Sequence, residues 1–322
     1  MKTLGPQYLA SDGRLATNVI FEDFLQKTET ADGGVLYGFP GYGPDGKTPI
    51  EPHPGLNLKA LTMDAHVPTS AKVKTPFGVK SLDELIESTK RGFRYQPTSP
   101  GYWKNVGWQL GLFAATQKPG TKWKNAEGQE IDLDRVFDDA MTELDAETAE
   151  LKQALAAHQP QVDKRKQGVY AHACGGLHFV QGVLRWAKNP AVRKKWGTRV
   201  DDQILVHFYR LESERRQYDA AYQQALNTAP QYKPQILVQM LKFYGHWLET
   251  TAHFREDLGW KPNAQQQQDI NRAKAFLDVA VRLLEESKAF ENMKQLRQNQ
   301  YQLYLDMIGD SCHAARGLEA FP

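Results

Sequence analysis

His246, Glu249 and His253 stand three and four residues apart in the segment GHWLETTAHFRE. An α-helix advances about 100° per residue, so that spacing puts all three side chains on one face. Two imidazoles and a carboxylate on a rigid backbone form a ligand set for Zn, Fe, Mn or Cu. The same face also carries Gln239, Lys242 and Glu256, opposite Ile236, Leu237, Met240, Leu241, Tyr244, Trp247 and Leu248. The competing expectation is therefore a solvated polar edge opposite a packed one.

Three other segments repeat the theme. In VYAHACGGLHFVQGVLRW, Cys174, His178 and Gln181 share a face, with Tyr170 above and Arg185 below. In YLDMIGDSCHAARG, Asp306, Asp310 and His313 share one face, whereas Cys312 groups with Tyr301, Leu305 and Ile308 and is expected to be buried. His207 and Glu214 lie one heptad apart in a further segment. Helix bundles build metal sites from inward His and carboxylate side chains on facing helices. A site shared among His178, His246, Glu249, His253 and His313, with Cys174 as a thiolate ligand, is the expectation these stripes raise. The cofactor would be a transition metal (Zn, Fe or Cu) or a haem held non-covalently by His, in redox or hydrolytic chemistry. The di-iron pattern of ferritin-like bundles, Glu-x-x-His, is not matched, because the order here is His-x-x-Glu.

Several familiar motifs fail on their context. GYGPDG (41–46) matches G-x-G-x-x-G literally, but Pro44 lies inside it and KTPIEPHPG follows, so no helix N-terminus can meet a phosphate. Covalent haem needs two Cys two residues apart before a His, and Gly309 stands where the first would be. Two cysteines exclude a zinc-finger framework, and no G-x-S-x-G nucleophile is present. Cys174 and Cys312, both placed mid-helix beside glycines, could form a disulfide if their Cα atoms come within about 7 Å.

Helices must position these residues. The spacing predicts them over 81–93, opened by a Ser81/Glu84 capping box, over 102–117, and from Asp132 until Pro160. Further helices are expected over 164–188, 200–225 and 234–258, and then from Asn263 to Ile308 with a break near 287–292. Gly175, Gly176, Gly182, Gly245, Gly309 and Gly317 fall inside these spans, where each costs about 1 kcal/mol relative to Ala. Close helix crossing, or a ligand packed against the helix, would justify that cost. Residues 1–80 are rich in Gly and Pro, with strand-like runs at GVLYGF and KVKTPFGVK. The expected fold is thus mainly α: antiparallel helical hairpins forming a bundle over 81–322, behind an irregular N-terminal segment over 1–80.

At 322 residues, 41% hydrophobic and 24% charged, the chain has globular composition, and a net charge of +2 argues for neither nucleic acid nor an anionic membrane. The run Gly168 to Leu184 is shorter than the ~20 residues of a membrane span, so no membrane insertion is expected. The N-terminus lacks an apolar signal core. It reads like the leader-proximal linker of an exported chain, which favours a periplasmic location over a cytoplasmic one. The alternative to a metal or haem protein is a non-catalytic helical scaffold that binds a protein partner, its His stripes facing solvent.

Overall fold

The computed structural model describes residues 8–321, which fold mainly as α-helix with three short antiparallel hairpins. They fall into two compact units that part between Glu143 and Leu144.

The first unit holds α1 (Ala16–Phe24), the hairpin β1 (Gln26–Glu29) and β2 (Val35–Gly38), and the short α2 (Leu56–Lys59). A second hairpin, β3 (Lys72–Thr75) and β4 (Gly78–Ser81), leads into α3 (Leu82–Gly92), α4 (Tyr102–Thr116) and a third hairpin, β5 (Lys122–Lys124) and β6 (Glu130–Asp132). The capping box forms as the spacing predicts: the Glu84 amide donates to Ser81 Oγ at 3.2 Å, and Glu84 Oε2 accepts from the Ser81 amide at 2.8 Å. Leu82, Leu85 and Ile86 then face inward, and Phe93 meets Phe113 edge-on at 5.2 Å.

α5 (Leu133–Glu147) carries the chain into the second unit. There follow α6 (Ala149–Ala156), α7 (Leu177–Arg185), α8 (Pro190–Trp196), α9 (Thr198–Thr228), α10 (Lys233–Leu258), α11 (Ala264–Glu286), α12 (Met293–Asn299) and α13 (Tyr301–Ala320). Short loops make α9, α10 and α11 successive antiparallel neighbours, shown by the Trp247–His207 hydrogen bond on one side and the Tyr244–Phe276 ring contact on the other. α10 is the centre of this unit, and every residue from Phe243 to Phe254 is buried.

Three expectations need correction. The helix expected over 164–188 begins only at Leu177, because Cys174, Gly175 and Gly176 all take positive φ (51°, 61° and 77°). A Cβ on Gly176 would lie 2.3 Å from Val169 Cγ2, so this tight left-handed turn needs glycine there. Cys174 is thus in a turn and not mid-helix. The stretch 263–308 does break near 287–292, where Lys288 has φ 58°, but a second break at Gln300 starts α13. Cys312 is exposed and both cysteines are free thiols, so neither the buried Cys312 nor the disulfide is found. The buried stripe of α13 is Leu303, Met307, Asp310, Ala314 and Gly317, while Ile308 points outward. The face expected to be buried, with Ile308 and Cys312, is the exposed one, and the buried stripe combines Leu303 and Met307 with the small Ala314 and Gly317.

Candidate metal centre

The contact that decides the site is the crossing of α10 and α13. A Cβ on Gly245 would lie 2.8 Å from the Ala314 backbone nitrogen, and one on Gly317 2.6 Å from Leu248 Cβ. Only glycine lets the two backbones approach so closely. The helices run parallel: Lys242 faces Asp306, Glu249 faces Arg316, and the Arg255 guanidinium donates to the Ala320 carbonyl. α7 lies parallel to α10 as well, through Gln181–Thr250 and Arg185–Asp257. Intervening return helices allow chain-distant segments to run the same way, and this brings one His from each to a single place.

The rings of His246 and His313 stand 3.8 Å apart between centroids, and those of His178 stand 4.9 Å from His246 and 5.0 Å from His313. Cys174 Sγ, from the left-handed turn, lies within 4.8 Å of a ring nitrogen of both His178 and His246. His246 is fully buried, His178 is 4% exposed, and the His313 side chain is 27% exposed at the rim. The face holding His246, Glu249 and His253 is therefore interior and not a solvated edge. Its charged neighbours find protein partners: Lys242 meets Asp306 at 3.3 Å and Asp310 at 3.6 Å, and Glu256 meets Arg316 at 3.5 Å.

The hydrogen bonds set the tautomers. His246 Nδ1 lies 2.8 Å from the Lys242 carbonyl, which can only accept, so the proton sits on Nδ1. Its Nε2 is buried and makes no hydrogen bond. Gln181 Nε2 donates to Thr250 Oγ1 at 2.9 Å and to Glu249 at 3.2 Å, which leaves Gln181 Oε1 to accept from His178 Nδ1 at 3.2 Å. His313 Nδ1 donates to Glu249 Oε2 at 2.8 Å. Each of the three rings thus presents an Nδ1 hydrogen to an oxygen acceptor.

Burial governs the charges. Desolvation first, then His313 and His178, hold the His246 imidazole well below its usual value, so it is neutral at pH 7. Burial pushes the Cys174 thiol up to about 12 and the Asp310 carboxyl to about 7. Glu249 has both oxygens engaged, Oε2 by His313 and Gln181 and Oε1 by Arg316 at 3.3 Å. His253 lies seven residues beyond His246, about 10 Å along the axis, and its Nδ1 meets Asp257 at 3.1 Å. The structure therefore gathers Cys174, His178, His246 and His313, places Glu249 behind them, and leaves His253 outside. His207 is also apart, stacked on Trp247 at 4.6 Å and bonded to Thr251 at 2.8 Å. Sequence reading passed over Arg210, although its i,i+4 spacing from Glu214 was a visible signal.

Comparisons with family models, with curated proteins and with solved structures find no match.

Proposed function

We propose that this chain is a metalloprotein whose transition-metal ion is held by Cys174, His178 and His246. The observation that carries the reading is His246 Nε2, buried without a hydrogen-bond partner on a ring that offers a nitrogen within 4.8 Å of Cys174 Sγ and of a His178 ring nitrogen. An orphaned buried acceptor costs about 1–3 kcal/mol, and coordination would remove that cost. The Nδ1 hydrogen bonds to Lys242 and Gln181 supply the outer-shell support that ligating imidazoles generally have. A mixed sulfur–nitrogen set suits zinc best, with copper or iron as the other candidates. The close packing of the rings favours a bare ion over a haem, because a macrocycle has no room between them.

Binding would deprotonate Cys174, overcoming the burial that keeps the free thiol neutral. Three protein ligands leave a position for water or substrate, and zinc so held lowers the pKa of bound water. His313 is the most exposed of the four, and Glu249 orients it as a buried carboxylate orients a catalytic imidazole. In this reading His313 would be the group to accept a proton from water at that position, and the chemistry the ion would supply is hydrolytic.

The test is metal content of the purified, tag-free chain, joined to a cobalt-substituted spectrum. The expected result is about one ion per chain and a thiolate-to-cobalt absorption band that is lost in Cys174→Ser. His246→Ala should lose the ion, while His313→Gln should retain it. Metal-free protein that takes up neither zinc nor cobalt would overturn the reading.

A further inference from the structure

A cluster of buried charges lies beside the imidazoles and shares Cys174 with them. Arg210 and Glu214 pair at 2.8 Å with side chains 2% and 0% exposed. Lys164 reaches the same carboxylate at 2.9 Å and donates to Tyr218 Oη at 2.6 Å. Burial works against all three charges, yet mutual attraction holds Glu214 below its usual value and Lys164 and Arg210 above theirs. Two cations share one carboxylate, so one positive charge is left over. Arg210 Nη2 is buried with no hydrogen-bond partner. A Cβ at Gly175 would come within 2.9 Å of that nitrogen, so the glycine keeps the space in front of it open.

Lys164, Arg210 and Tyr218 line a cavity of about 330 Å³, walled by Tyr170 and Phe243 and reaching Cys174. That size falls at the small end of ligand pockets, about 300–1,000 Å³. We infer that the cavity binds a small organic carboxylate, its anionic end on Arg210 Nη2 and Lys164 and its body against Tyr170 and Phe243. Arg165, Lys166 and Lys242 also line the cavity, and the aromatic wall beside this cationic lining suits an anion with an apolar body. Because Cys174 forms part of both the cavity and the imidazole cluster, the ligand would lie next to the ion. That last step alone rests on the metal reading.

The experiment is calorimetric titration of the full chain, as purified and after chelation, with benzoate, benzyl alcohol and inorganic phosphate as probes. Benzoate should bind in both preparations and the other two at least tenfold more weakly. Lys164→Gln leaves the Arg210–Glu214 pair intact and removes one of the two cations assigned to the anionic end, so it should weaken benzoate tenfold or more. The double variant Arg210→Gln, Glu214→Gln should do the same with an unchanged circular dichroism spectrum, and if it does not fold, Lys164→Gln decides alone. Equal binding of benzyl alcohol, preference for phosphate, or benzoate binding undiminished in Lys164→Gln would each overturn the assignment. The arm after chelation separates the two readings: benzoate binding there stands whether or not the chain holds metal.

Discussion

Three imidazoles of this unit each turn Nδ1 to an oxygen that can only accept: the Lys242 carbonyl, Gln181 Oε1 or Glu249 Oε2. Gln181 is the hinge of that arrangement, since its amide group joins His178 to Glu249 and Thr250. Replacing it with Met, which has similar volume and no donor, should free the His178 ring and weaken metal binding 10- to 100-fold. Competition with a chromophoric chelator would measure this, and an unchanged affinity would remove Gln181 from the supporting shell. Elsewhere, Glu51 gives a residue-scale pH prediction. Burial raises its carboxyl from the ordinary 4.5 to about 7, while one oxygen accepts from the Asn57 amide at 3.0 Å. The folded state binds this proton more tightly than the unfolded state. The resulting stability is present below about pH 4.5 and is lost as pH rises through about 7. Glu51→Gln, which stays neutral, should flatten that decline in urea midpoints taken from pH 4.5 to 8.

At the scale of elements, the α10–α13 crossing depends on glycines whose positions could be read in the sequence while their use could not. Gly245→Ala would push a methyl group against the Ala314 backbone and should cost about 1–3 kcal/mol. It should also weaken metal binding by displacing α10 and its His246. Gly309, on α13, has nothing within 4 Å of its would-be Cβ. Gly309→Ala should therefore stabilise by about 0.5–1 kcal/mol through helix propensity alone. Opposite shifts in the urea midpoint are expected, and two shifts of the same sign would contradict the close-contact account. Periodicity made α10 legible from Pro234 to Leu258, and the capping box made the start of α3 legible. Periodicity misled over 164–188, because nothing in a one-dimensional pattern shows that a Cys-Gly-Gly run will turn left-handed. On α13 it chose the face of Tyr301, Leu305, Ile308 and Cys312, although the buried stripe runs through Leu303, Met307, Ala314 and Gly317.

At the scale of the molecule, the 168–176 turn, α7 and α10 supply Cys174, His178 and His246, so an ion should stabilise the second unit through all three at once. Zinc at about 100 times its dissociation constant should add about 2.7 kcal/mol. Amide exchange should slow most over 168–185 and 240–253. Uniform slowing along the chain, or none, would count against a site built from these segments. The sequence by itself determined that the chain is mainly helical, because helix formation is written in local spacing, caps and breakers. It also placed His178, His246, Glu249 and His313 on helix faces as candidates. Whether those faces met water or one another was decided only by the tertiary structure. Gly245, Ala314 and Gly317 let two parallel helices touch, and residues separated by about 70 positions along the chain were thereby brought together in the interior.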